Sequence, residues 1–330
     1  MNQNFCVCAQ NGTCAAANQY EKKKRRKGLR IVGVLLIVCL LFSAFSMLGQ
    51  DTAPNSDYIA VLNIEGTISE NDGYTYDQQY LLQSVDDIMN DKYNKGLLLR
   101  IDSPGGAVYQ IDELYLKLMD YKKTTGRPVY AAVESYAASG GYYEACAADQ
   151  IYANRNSITG SIGVIMGEFL DLSELLDNLG VDVSYITSGA NKAMGNSYEP
   201  LTEEQKAIYQ SICDESYEQF VGIVAQSRDL DEKTVRTLAD GRVYTASQAL
   251  EHGLIDGIEP FADTLERIKA DLGYEDIDVW TYSYQAPATL MDYLANGNIQ
   301  DLVEKIAGKN ESGAVIPEQK APQLMMYYGG

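Results

Sequence analysis

Histidine is almost absent from this 330-residue chain, with His252 the only one. Any mechanism needing two histidines, such as a His-Glu-x-x-His zinc centre, is therefore excluded. Basic residues are also scarce, with 26 Lys and Arg against 46 Asp and Glu, a formal charge of −20. Seven of those bases and one acid fall in residues 1–30, so that stretch carries +6 and residues 31–330 carry −26. A body with so few cations cannot present the basic face that holds a phosphate backbone, and no nucleic-acid partner is expected. Cysteine is sparse where it would have to staple a fold. Cys6, Cys8, Cys14 and Cys39 precede residue 40, leaving only Cys146 and Cys213 for the remaining 291 residues. One bond between those two stays open, but no disulfide scaffold is possible, and the main domain must stand on its apolar core. The Cys-x-Cys-x5-Cys spacing lacks a histidine or a fourth nearby ligand and reads as part of an unstructured tail, so no metal and no cofactor are expected.

What is present begins with Ile31–Leu48, eighteen residues without a charge, directly after Lys22–Arg30. At about 1.5 Å per residue such a helix spans ~27 Å, close to a bilayer core. The stretch is longer than the apolar part of a cleaved secretory signal and starts late, which favours an uncleaved anchor. Positive flanks stay cytoplasmic, so residues 1–30 are expected inside the cell membrane and the main domain outside it. The expected organisation is a basic cytoplasmic tail 1–30, a transmembrane helix 31–48, a linker 49–56, a catalytic domain 57–285 and a C-terminal extension 286–330. The apolar strip Leu324–Tyr328 reads as a tail that is unstructured or packed on a partner, with self-inhibition as the alternative.

Beyond the linker, apolar runs with strand character alternate with segments of helical spacing. Strands are predicted at Tyr58–Ile64, Gly96–Asp102, Pro128–Val133, Ile151–Ala153 and Val181–Thr187. Helices are predicted at 76–91, 109–123, near 169–179 and from Thr202 to about Arg228, with shorter ones from Asp231 onward. This alternation predicts an α/β fold with a mainly parallel sheet covered by helices. In such sheets ligands sit where strands hand over to helices. Two handovers are rich in glycine. Asp102-Ser-Pro-Gly-Gly106 can turn with exposed N–H groups, able to hold an oxyanion, although the same residues also make an ordinary turn. Ala137-Ala-Ser139-Gly-Gly141 sets Ser139 at a helix N-terminus among small neighbours, as a nucleophile elbow would, although Ala137 replaces the first glycine of Gly-x-Ser-x-Gly. The plain alternative is that Ser139 only caps the helix.

A nucleophilic serine needs a base. His252, in Ala249-Leu-Glu-His-Gly-Leu, sits where a histidine ordinarily ends a helix. Lysine is the remaining choice, and moving its pKa from ~10.4 to ~7 takes about 4.6 kcal/mol of desolvation or like-charge repulsion. Lys122, Lys123 and Lys206 lie on wet helix segments. Lys192, in Ser188-Gly-Ala-Asn-Lys-Ala-Met194 after the expected strand, is the best-placed candidate.

Five motifs then carry a family resemblance: Ser-Pro-Gly-Gly at 103–106, Tyr-Ala-Ala-Ser-Gly-Gly-Tyr-Tyr at 136–143, Thr-Gly-Ser-Ile-Gly-Val-Ile at 159–165, Ser-Gly-Ala-Asn-Lys at 188–192 and Ala-Asp-Gly-Arg-Val-Tyr-Thr at 239–245. From about Tyr58 to Leu265 the chain resembles the short, single-repeat, membrane-bound form of the signal peptide peptidase A family. The resemblance implies a Clp-protease/crotonase-like fold and a serine endopeptidase with a Ser/Lys dyad. It carries the nucleophile onto Ser139, the general base onto Lys192, the oxyanion hole onto the N–H groups of Gly106 and Gly140, and a lysine-orienting hydroxyl onto Ser161. It also implies a homo-oligomeric ring with active sites shared between protomers, acting on remnant signal peptides and other membrane-proximal unfolded peptides. One departure is that Ala193-Met-Gly-Asn-Ser-Tyr follows the lysine, where many relatives have an acidic residue and Gly-Ser-Pro. The alternatives are a related membrane peptidase that trims regulators of membrane proteins or antimicrobial peptides, and a non-catalytic membrane scaffold. An acyl-CoA enzyme of the same fold class is disfavoured, since the outside of a cell supplies no CoA.

Overall fold

The computed structural model describes residues 53–286. The expected tail, anchor and first half of the linker, and the extension from 287 onward, lie outside the described residues. Among the described residues no helix is long and apolar enough to cross a membrane.

The chain runs β1 (Tyr58–Glu65), α1 (Gln78–Asn90), β2 (Asn94–Ser103), α2 (Val108–Thr125), β3 (Val129–Ala138), α3 (Gly140–Ala145), β4 (Gln150–Ala153) and β5 (Ile158–Gly160). It continues through α4 (Ser173–Leu179), α5 (Glu203–Arg228), α6 (Glu232–Leu238), β6 (Val243–Thr245), α7 (Ala246–Glu251), β7 (Gly257–Ile258), α8 (Phe261–Asp271) and β8 (Asp278–Tyr282). The strands form one sheet in the order β6-β5-β3-β2-β1-β8, with β4 beside β3 and β7 beside β4. Every pairing is parallel except β5 with β6, which is antiparallel. The expected mainly parallel α/β sheet with flanking helices is present.

A parallel sheet covered on both faces needs strands that are apolar on both sides. Tyr58-Ile-Ala-Val-Leu62 and Leu97-Leu-Leu99 meet that demand and are buried. On one face Ile59, Val61, Leu98, Tyr130, Ala132 and Tyr152 pack with Ile268 of α8. Helix ends follow local chemistry. Asp77 accepts the Tyr80 N–H to start α1, and reciprocal Thr–Gln capping boxes start α5 at Thr202 and α7 at Thr245. His252 stands at the C-terminal cap of α7, where the sequence put it, with its ring edge-on to Tyr244.

One element differs from expectation. Val181–Thr187 forms no strand. A strand needs a neighbour for its backbone, and among the described residues this stretch has none. It belongs to an arm of residues 164–201 that lies largely exposed: Ile165 is 79%, Leu179 66% and Ile186 103% exposed, and α4 buries no side chain. The pattern of 181–187 is that of a strand, and its pairing partner is not among the described residues.

Candidate active site

β3 runs further than the apolar pattern alone suggested. It reaches Ala138, where its last residues Tyr136, Ala137 and Ala138 pair with Ile158, Thr159 and Gly160 of β5. Ser139 is therefore the single residue between a central strand and α3. Its backbone has φ 52° and ψ −117°, a conformation that ordinary side chains rarely adopt and that costs on the order of 1–3 kcal/mol. Surrounding bonds hold it there. The Ser139 N–H donates to Gly160 O at 2.8 Å, and the Ser139 carbonyl accepts from Tyr142 N–H and Tyr143 N–H at 3.1 and 3.0 Å.

Ser139 occupies the cap position of α3, yet its hydroxyl caps nothing. The plain capping role is therefore not the one it performs. The sharp turn instead presents the half-buried side chain to a cavity of about 460 Å³. An elbow of this kind forms even with Ala137 in place of a first glycine, because Ala137 fits fully buried in the strand.

The two glycine-rich segments meet at this turn. A side chain on Gly105 would come within 2.6 Å of Gly140 N and 2.9 Å of Ser139 Cβ, so only glycine permits the approach, and Gly105 itself has φ 97°. Gly140 is as constrained, since an added Cβ would come within 2.2 Å of Ile111 Cδ1. Its N–H, first in α3, has no intrahelical acceptor. At Gly106 the chain makes a parallel bridge to Ile68, through the Gly105 carbonyl accepting Ile68 N–H and the Ala107 N–H donating to Ile68 O. Extended backbone alternates its directions, so the Gly106 N–H points away from that bridge. Both Gly106 and Gly140 line the cavity with Ser139. A serine oxygen beside two uncommitted amide donors is the arrangement that attacks a carbonyl and holds the resulting oxyanion.

Ser161 lines the same cavity, with φ 51° and its N–H bonded to Arg242 O at 2.8 Å. Lys192 does not. It lies exposed on the arm, in the turn closed by Lys192 N–H to Gly189 O, and is not among the cavity's lining residues. The structure thus gathers Ser139, Gly106, Gly140 and Ser161 but not Lys192. Among the described residues no cluster of three His, Cys, Asp or Glu side chains is placed to hold a metal ion.

Much of the cavity wall comes from the motif segments, and sequence reasoning missed the part supplied by α2 and α5. Val108 and Ile111 of α2, Tyr143 of α3, and Gln219 and Phe220 of α5 line the cavity, with Ala239, Asp240 and Gly241 of the last motif. The Tyr143 hydroxyl donates to Asp112 Oδ1 and accepts from Gln219 Nε2, both at 2.6 Å, tying three helices together. Burial, with the Asp112 bond, pushes that phenol above its ordinary range. Arg242 holds the exposed Asp240 carboxyl down at about 2. The 136–143 motif held Tyr143 and the 239–245 motif held Ala239, Asp240 and Gly241; helical spacing in 202–228 marked a helix and not the cavity it faces.

Residues 121–275 match the model of peptidase family S49. A relative in Enterococcus faecium that bears the name signal peptide peptidase SppA is 35% identical over 258 residues, which is 77% of this chain and 74% of the relative. The chain belongs to the signal peptide peptidase A family. It is a serine-type endopeptidase. A relative in Synechocystis, named as a protease, is 35% identical over 73% of this chain and 84% of its own length. Among solved structures, a ClpP1 mutant of Listeria monocytogenes aligns with a TM-score of 0.41 and 14% identity, covering 62% of this chain and 94% of that one.

Proposed function

We propose that this family member is a membrane-anchored endopeptidase in which Ser139 is the nucleophile and Lys192, delivered from an adjacent copy, is the general base. The observation that carries the reading is the strained Ser139 turn, with an uncapped hydroxyl in a cavity beside the Gly106 and Gly140 amides. Neutral Lys192 takes the Ser139 proton as the oxygen attacks the peptide carbonyl, the two amides hold the oxyanion, and the lysine then protonates the departing amine. Water releases the acyl group by the same route. Ser161 orients the lysine.

Delivery in trans is supported by the arm. Its apolar side chains, Ile165, Leu179 and Ile186 among them, stand in water in a single chain, as a surface awaiting a partner does. Covering it with another copy would also strip water from Lys192, which is what a lysine must lose to become neutral. A head-to-tail contact of this kind closes into a ring. The apolar wall formed by Val108, Ile111, Val164 and Phe220 suits apolar side chains, in keeping with remnant signal peptides and membrane-proximal unfolded peptides as substrates. Residues 31–48 anchor the chain, with the N-terminus cytoplasmic and the catalytic domain outside.

The test is subunit complementation on an apolar fluorogenic peptide. Ser139→Ala and Lys192→Ala are each expected to be inactive. Mixed, dissociated and reassembled at equal amounts, they should recover about a quarter of wild-type activity, because one junction in four then joins an intact serine to an intact lysine. Activity retained by either single variant removes the dyad. No recovery in reassembled mixtures removes delivery in trans.

A further inference from the structure

We propose that Ser103 is a positioning residue for the oxyanion hole, acting through its hydroxyl on the Gly105–Gly106 backbone; this rests on the assignment of Ser139 as nucleophile and Gly106 as oxyanion donor. Ser103 is the last residue of β2 and is wholly buried. Its Oγ donates to Gly66 O at 2.6 Å and accepts the Gly105 N–H at 3.1 Å. One buried hydroxyl therefore joins the turn after β1 to the loop that carries the oxyanion donor.

The consequence is a choice between two neighbouring amides. Gly105 and Gly106 both follow the proline, and either N–H could in principle turn toward a substrate. The Ser103 hydroxyl engages the Gly105 N–H, while the Gly105 carbonyl is held by Ile68 N–H at 3.0 Å, and neither Ser103 nor Gly105 lines the cavity. With both polar groups of Gly105 committed, the next amide is the one left to face Ser139. The Gly66 end matters as much. Gly66 N–H donates to Asp102 O at 3.1 Å, so the hydroxyl ties together two strand ends already in register, and the loop inherits the rigidity of the sheet. The loop has little freedom to compensate for a loss, because it passes so close to the Ser139 turn that a Cβ on Gly105 would come within 2.9 Å of Ser139 Cβ and 2.6 Å of Gly140 N. On the far side, a Cβ on Gly141 would come within 2.7 Å of Ser103 O, so β2 and α3 are packed backbone to backbone there. A small shift of the Gly106 amide changes the oxyanion contact and leaves the apolar wall of the cavity where it is.

The experiment compares full-length wild type with Ser103→Ala, Ser103→Cys and Ser139→Ala in detergent. It measures kcat and KM on an apolar fluorogenic peptide, inhibition by a peptide aldehyde that forms a tetrahedral adduct, and binding of the matching peptide alcohol, which forms none. Ser103→Ala should lower kcat by about 10- to 100-fold with KM within about twofold, since misplacing one donor weakens only the transition-state contact. Aldehyde inhibition should weaken by the same factor, alcohol binding should hold, and Ser103→Cys should fall between. Unchanged kcat, or a lowered kcat with unchanged aldehyde inhibition, overturns the proposal. Failure of both Ser103 variants to fold and assemble assigns the residue to the fold alone and overturns it too. If Ser139→Ala binds the aldehyde as tightly as wild type, the nucleophile assignment fails instead, and the two failures are told apart.

Discussion

Glu144 sits in α3, five residues after Ser139, and is wholly buried. Neither carboxyl oxygen has a hydrogen-bond partner among the described residues. Burial alone pushes its pKa well above the ordinary 4.5. The folded protein therefore keeps a proton on Glu144 that the unfolded chain releases above about 4.5, so stability falls as pH rises from that point. Each pH unit in this window costs about 1.36 kcal/mol, so raising pH from 5 to 7 removes about 2.7 kcal/mol through this one group while it stays protonated in the fold. Glu144→Gln keeps the shape and removes the titration. The perturbation is thus read as a difference between two pH profiles, in which other titrating groups cancel. At pH 5 the two proteins should unfold at similar temperatures. At pH 7 the glutamine variant should unfold roughly 5–10 °C higher, given 2–4 °C per kcal/mol for a domain of this size. Differential scanning calorimetry at half-unit steps checks it. Parallel profiles for wild type and Glu144→Gln would refute the reasoning, since they would mean that the folded carboxyl ionises normally.

Two further outcomes follow from the same structure. Ser139→Gly should unfold at a higher temperature than Ser139→Ala while both are inactive, because glycine relieves a φ of 52° that costs a side-chain-bearing residue on the order of 1–3 kcal/mol; equal melting temperatures would show that the turn stores no strain. Ile186→Asp and Leu179→Asp, on the exposed arm, should convert the assembly to monomers by light scattering and remove peptidase activity with little change in the stability of the single chain; an active monomer would contradict delivery of Lys192 from a neighbour.

Much of the fold was legible in local sequence. The doubly apolar runs at 58–62 and 97–99 mark strands covered on both faces, and the helices expected at 76–91 and from Thr202 to about Arg228 appear at Gln78–Asn90 and Glu203–Arg228. Val181–Thr187 was not legible in the same way, because a pattern records what a segment would prefer and not whether a neighbouring strand exists. The site divides along the same line. Small residues at 103–106 and 137–141 announced two tight handovers, since close backbone approach needs glycine wherever it happens. The walls from α2 and α5 were silent, because an apolar residue in a helix looks the same whether it meets the core or a substrate.

The sequence by itself determined that chemistry needing two histidines was closed to this protein, that the sheet would be mainly parallel, and that Ser139 and Lys192 were the residues to watch. Tertiary structure alone decided that Ser139 is strained rather than a cap, that Ser103 and Ile68 commit both polar groups of Gly105, and that Lys192 stays outside the cavity of its own chain. The physical reason is that composition and periodicity carry local preferences, whereas hydrogen-bond commitment and desolvation depend on groups that meet only after the chain has folded.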